Sequence, residues 1–329
     1  SNFRAGANAG DSIASGGNYN VAVGDNSGTA ITTGDENVFV GFKAGFGTTT
    51  SGQNIAIGSG ALETNILGSH NVGIGNAALA TMNRSTATNT YNTAVGSSAG
   101  NAITTGVDNT LMGGLSGDAL TTGSYNALIG KNAGGAMTTG QENVAVGWNT
   151  LDANTTASYN VAVGASSLGV NVLGAKNVAI GHQVLSAQNP ATATDMHNTA
   201  VGFEAGNDIT TGVENILIGG LSGDALTDAD YNVAVGYRTL TSDTLGSRST
   251  ALGYAALAAQ NFTTATDNYN TAVGFHAGNV ISTGTHNTLI GGLAGDAITT
   301  GVSNNAVGYG ALGATTTANQ NNAFGRNSL

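Results

Sequence analysis

Asn20-Val21-Ala22-Val23-Gly24 decides the fold, because it recurs with variation along the chain. Copies start at Asn37, Asn54, Asn71, Asn92, Asn109, Asn126, Asn143, Asn160, Asn177, Asn198, Asn215, Asn232, Ser249, Asn270, Asn287, Asn304 and Asn321. Fourteen of the 17 intervals between these 18 copies are 17 residues long and three are 21. A length of 329 residues suggests two domains, but a fixed short period overrides that expectation and points to a solenoid.

Each motif column has its own chemistry. The second residue is Val, Ile or Thr in 15 of 18 copies, which suits a strand. The fourth is large and apolar in every copy, from Val23 to Ile290 and Phe324, whereas the third is Ala in 12 copies and Leu in four. Side chains alternate along a strand, so positions two and four share one face and position three takes the other. Both faces are apolar, as in a strand covered on two sides. Glycine closes all 18 copies, as a tight corner needs, and four residues later stands Gly or Leu. Runs such as Ala30–Gly34 (AITTG) and Asp208–Gly212 (DITTG) predict a second short strand. Stacking sets the motif asparagines in a column where each amide bonds the next.

The reading is an all-β, parallel β-solenoid of about 18 coils, with residues 1–19 as a partial, imperfect coil and 20–329 as the repeat array. Longer coils start at Asn71, Asn177 and Ser249, each carrying a similar insert around Thr86-Ala87-Thr88, Thr192-Ala193-Thr194 or Thr264-Ala265-Thr266. A larger block of several coils has therefore been duplicated. At about 4.8 Å per coil the array predicts a rod roughly 85 Å long. Ordering 17 residues costs about 25 kcal/mol, more than burial within such an Ala-rich coil supplies. The second apolar face therefore calls for another copy of the chain, with the third motif position at the contact.

Composition removes several classes of function. The chain has no cysteine, so it has no disulfide framework and no thiol chemistry. One proline among 52 glycines is incompatible with collagen. Sparse charge (8%) with 40% hydrophobic residues argues for a folded chain. A net charge of −11 with only eight basic residues argues against nucleic acid as a partner. No apolar run is long enough for a membrane-spanning helix. The start at Ser1, without initiator Met or signal peptide, suggests a fragment or a processed product.

The N-x-A-V-G…A-G/L…T-T-G pattern, from Asn20 to Leu329, resembles the head repeats of trimeric autotransporter adhesins. It also resembles the trimeric phage tail-fibre and surface-fibre repeats that often precede an endosialidase-type intramolecular chaperone. The resemblance implies a left-handed parallel β-roll, a homotrimer and an extracellular role in attachment on a virion or bacterial surface. Autotransporter head repeats are usually shorter than 17 residues, so the phage-type fibre is the better match. No C-terminal anchor or chaperone is visible in this sequence.

Among candidate sites, Gly96-Ser97-Ser98-Ala99-Gly100 matches a nucleophile elbow. The same register reads Gly41-Phe42-Lys43-Ala44-Gly45 elsewhere, which makes it repeat grammar, and the five histidines (His70, His182, His197, His276, His286) are scattered. Gly113-Gly114-Leu115-Ser116-Gly117-Asp118 has a calcium-repeat look with the wrong Asp spacing. No enzyme, cofactor or metal site is expected. The better organised candidates are aromatic: Phe42, Trp148, Phe203, Tyr237, Tyr254, Phe275 and Tyr309, each following a motif glycine. They either cover coil corners and pack on neighbouring chains, or contact glycans. Six tyrosines (Tyr19, Tyr91, Tyr125, Tyr159, Tyr231, Tyr269) precede a motif Asn. Inserts at 81–91, 187–197 and 259–269 are recognition loops or plain bulges. Glu36, Asp108, Glu142 and Glu214 lie near one corner and serve solubility.

The leading function is a structural and adhesive fibre segment. The alternatives are a glycan-binding module and an ice-binding solenoid, the latter from recurring Thr-Thr pairs such as Thr104-Thr105 and Thr121-Thr122. That outward Thr column is interrupted at Leu67, Leu173, Asp228 and Leu245.

Overall fold

The motif residues form three-residue parallel strands, and within each of two units every strand pairs with its counterpart in the next coil. Val21, Ala22 and Val23 stand opposite Val38, Phe39 and Val40, and these opposite Ile55, Ala56 and Ile57. Like therefore stacks on like, and a 21-residue interval leaves the register intact: Val72 faces Thr93 and Ile74 faces Val95. The computed structural model describes residues 1–329, which divide into two units, Ser1–Asn160 and Val161–Leu329. Both are all-β solenoids without helix; nine of the three-residue strands lie in the first and ten in the second.

The nineteenth strand, Phe3–Ala5, pairs with Val21–Val23, and Gly6 has φ +132°, like the motif glycines. Residues 2–6 are thus a further motif copy within the stretch expected to be imperfect. An 18-residue interval and Arg4 at the inward position disguise it. The Arg4 side chain folds back and donates to the Gly10 carbonyl at 3.0 Å.

The third motif position points into the coil, not toward another chain. Ala22, Phe39, Leu111, Leu128, Ala200 and Leu289 are all fully buried within their own unit. Positions two and four face outward, so the expectation that position three makes the inter-chain contact is reversed. The reason is width: a 17-residue coil encloses little space, and the column rich in alanine is the one that fits there.

The Gly-or-Leu position also points inward, and it is left-handed in both cases, with Leu62 at φ 52° and Gly45 at φ 59°. Bulky residues adopt this conformation at a cost of order 1 kcal/mol. What selects Gly or Leu is the room left by position three. All five coils with Leu or Phe at position three carry Gly here, and all coils with Leu here carry Ala or Gly at position three. A Cβ on Gly45 would stand 2.5 Å from the Phe39 ring, and one on Gly117 would stand 2.9 Å from Leu128 Cδ1. No coil carries a large side chain at both positions, and the coils at Asn20, Asn92, Asn198 and Asn270 carry one at neither.

The motif asparagines are buried and form continuous hydrogen-bonded runs within each unit. Asn109 donates from its backbone and its amide to Asn92 Oδ1, both at 3.0 Å, and from its amide to the Gly123 carbonyl at 3.0 Å. The ladder includes Asn2, whose Oδ1 accepts from the Asn20 backbone at 2.8 Å. At Ser249 the insert repairs it. Asn268 Oδ1 accepts the Ser249 hydroxyl and the Asn270 N–H, each at 2.9 Å.

No second strand forms at Ala30–Gly34 or Asp208–Gly212; both stretches are turns and bends. The N–H groups of Thr104, Thr105 and Gly106 all converge on the Thr121 carbonyl (3.0, 3.3 and 3.3 Å), so the evenly spaced bonds of a parallel ladder are not made. Two-residue strands occur instead in the insert-bearing coils, such as Gly68–Ser69 with Thr88–Asn89 and Gly246–Ser247 with Thr266–Asp267.

Candidate interaction surfaces

Motif positions two and four build an outward, largely apolar strip in each unit, with Thr at position two in six copies and Asn at 305 and 322. None of these residues is buried and none is charged. Ile129 and Val144 in the first unit, and Ile216, Ile218, Leu252 and Ile290 in the second, are among the most exposed, at 36–45%. Monomeric proteins seldom expose a contiguous apolar patch of this kind.

Aromatic columns edge the strip on both sides. Phe42, Trp148, Phe203, Tyr237, Tyr254, Phe275 and Tyr309 are about half exposed just past the motif glycine. The structure does not bring them into one row. In the second unit Tyr254 stacks on Tyr237 at 5.7 Å and on Phe275 at 5.4 Å, and His182 stacks on Phe203 at 5.6 Å. Glycines at 220 and 292 interrupt that column, and in the first unit Ser59, Asn76, Ser97, Gly114 and Lys131 separate Phe42 from Trp148. The other column consists of the residues before each motif Asn. These are left-handed whatever their type, from Tyr91 (φ 48°) to Glu36 (57°) and His70 (64°). Arg248 lies 4.6 Å above the Tyr231 ring while its Nε contacts Asp267 at 3.0 Å.

The remaining candidates have local roles. The Ser116 hydroxyl of the calcium-like stretch is buried and donates to the Leu128 carbonyl at 2.6 Å. No group of three or more His, Asp or Glu side chains is placed to hold a metal ion. Ser98 of the elbow-like stretch sits in a left-handed turn (φ 56°). Thr105, Thr122, Thr139 and Thr156 form an exposed run, whereas Thr104, Thr121 and Thr138 are half-buried and hydrogen-bond along the stack, Thr121 Oγ1 to the Thr138 carbonyl at 3.0 Å. Each of these pairs therefore leaves its second threonine as the exposed one. Burial raises the Asp118 carboxyl above its usual range, and burial together with the charge of Asp118 raises Asp152.

Asp243 is a buried carboxyl that the sequence does not single out. Its Oδ1 accepts from the Phe262 N–H at 3.0 Å and the Gly246 N–H at 3.2 Å, and its Oδ2 accepts from Gln260 Nε2 at 2.5 Å. In equivalent coils the residue is Asn65 or Asn171, whose amide donates to the Gly68 or Gly174 carbonyl at 2.8 and 2.7 Å. An aspartate supplies that donor only when protonated. Burial pushes the Asp243 carboxyl above its ordinary value, against the opposing effect of the Gln260 and backbone hydrogen bonds. The raised folded value means that the native state holds the proton more tightly. Its stabilising contribution is complete below the ordinary aspartate range and is lost as pH rises through the folded value. Asp243→Asn is expected to stabilise the protein at pH 7 by about 1–3 kcal/mol. It should also flatten the fall in melting temperature between pH 4 and 7; equal pH profiles for the two proteins would contradict this.

No protein-family model matches the chain, and neither a curated protein nor a solved structure does.

Proposed function

We propose that this chain is a structural and adhesive fibre segment that assembles with further copies of itself, as a homotrimer, on a virion or bacterial cell surface. The observation that carries the reading is the outward strip of motif positions two and four. It repeats in coil after coil without a charge, and it is largely apolar although each coil has already filled its own core with position three. An uncharged strand face of this extent is stabilised when it leaves water. A second copy presents the same pattern at the same spacing, which is the complementarity that a symmetric assembly needs. The number three and the surface location follow from the resemblance to trimeric fibre repeats. The aromatic columns at the edges of the strip suit packing against a neighbouring chain.

Light scattering on a sizing column tests the assembly. The expected mass is near three times 32.2 kDa. Ile216→Glu combined with Ile218→Glu places carboxylates in the middle of the strip without touching the coil interior, and should lower the mass to 32.2 kDa. A wild-type monomer, or a double variant that still assembles, would contradict the proposal.

A further inference from the structure

We infer that the coils between Gly236 and Val280 carry a binding site for a carboxylate-bearing sugar. A depression of about 330 Å³ opens there, at the lower end of the range for small-molecule sites. Its floor is the middle coil, which presents only Ala255, Ala258 and Ala259. The flanking coils form the walls, Arg238, Thr241 and Ser242 on one side and His276, Asn279 and Val280 on the other, with the Tyr254 ring at the rim. Three small residues between two rows of longer ones create the hollow.

The lining specifies the ligand class. Arg238 is exposed and makes no ion pair, whereas Lys43, Lys176 and Arg248 are held by Glu63, Asp195 and Asp267. A guanidinium on the wall of a concavity, close enough to Asp224 to act on its carboxyl but in no ion pair with it, is suited to a ligand carboxylate, which it grips through two parallel N–H donors. The nearby Asp224 is engaged by the Thr241 hydroxyl at 2.7 Å. Ser242 and Asn279 add a hydroxyl and an amide to the two walls. Tyr254 stacks between Tyr237 at 5.7 Å and Phe275 and His276 at 5.4 and 5.3 Å, which holds its ring in place at the rim. A pyranose has an apolar face for the alanine floor and hydroxyl edges for the walls.

The other insert-bearing coils do not reproduce this site. The positions equivalent to Arg238 are Gly60 and Ser166, and those equivalent to Tyr254 are Asn76 and His182. The inference rests on the adhesive half of the proposed function. No motif position two or four lines the depression, and of its lining only Tyr254, at the rim, belongs to a column that edges the strip. Its failure would leave the molar mass unchanged, and failure of assembly would leave the hollow within one chain.

Titration calorimetry of the full chain with glucuronate, N-acetylneuraminate, glucose and sodium sulfate tests the site. At least one carboxylated sugar is expected to bind with a dissociation constant of order 1 mM, as for a shallow site, and glucose and sulfate at least ten-fold more weakly. The sugar that binds identifies the source of the carboxylate. Arg238→Gln, and separately Ala258→Leu, which fills the floor while retaining the charge, should each weaken binding at least ten-fold at an unchanged melting temperature. No binding of either carboxylated sugar, equal binding of sulfate, or binding that survives both substitutions would overturn the inference.

Discussion

Gly202→Ala is expected to cost about 3–5 kcal/mol, through backbone strain and a clash that the coil stack cannot relieve. Gly202 has φ +141°, a conformation that side-chain-bearing residues rarely adopt. An added Cβ would also stand 2.5 Å from the carbonyl oxygen and 2.6 Å from the carbonyl carbon of Gly219 in the next coil. Those atoms are backbone and cannot rotate away. The only relief is separation of the two coils, which loosens bonds such as the one from the Gly219 N–H to the Val201 carbonyl at 2.7 Å. Gly325 provides the control: its φ is +121°, but an added Cβ would meet nothing within 4 Å. Gly325→Ala should therefore cost only the conformational part, about 1–2 kcal/mol. Thermal unfolding of the two variants measures the difference; equal losses would mean that inter-coil contact does not explain the glycine.

Asn109→Ala is expected to cost about 3–4 kcal/mol, because it leaves buried polar groups unpaired on both sides. The backbone N–H of Asn109 keeps its bond to Asn92 Oδ1, but the amide bonds to Asn92 and Gly123 are lost. On the other side, the Asn126 N–H and amide lose Asn109 Oδ1 as acceptor at 3.0 and 3.1 Å. Asn109→Asp separates hydrogen bonding from shape. The new oxygen faces Asn92 Oδ1 and the Gly123 carbonyl, so the ionised form is repelled and only the protonated form restores a donor. Its carboxyl titrates above the ordinary aspartate range, the folded state binds the extra proton, and stability returns as pH falls. The melting temperature of Asn109→Asp should therefore approach the wild-type value on acidification while that of Asn109→Ala does not. Parallel curves for the two variants would mean that volume alone governs the column.

The repeat was open to sequence reading because each column of a solenoid meets itself in the next coil. Like residues must tolerate one another at one spacing, and 18 copies of N-x-A-V-G expose that constraint. The asparagine column, the closing glycines and the three longer coils were legible for the same reason. The copy at Asn2 was hidden by one extra residue and by Arg4, a substitution tolerated where the side chain can fold back to Gly10. The predicted second strand failed because β-branched residues state a preference, whereas a strand also needs evenly spaced hydrogen bonds. Three donors on the Thr121 carbonyl do not provide them.

The amino-acid sequence by itself determined the solenoid class, the 17-residue period and the columns, since these follow from which residues recur. Only the tertiary structure decided which apolar column lies inside. Alternation separates Ala22 from Val21 and Val23 without saying which side is dry; the narrow coil interior, into which the alanine-rich column fits, decides it. The same restriction explains why Leu62 follows Ala56 whereas Gly45 follows Phe39. The hollow beside Arg238 also exists only in the fold, because its floor and walls come from three coils that stacking places side by side.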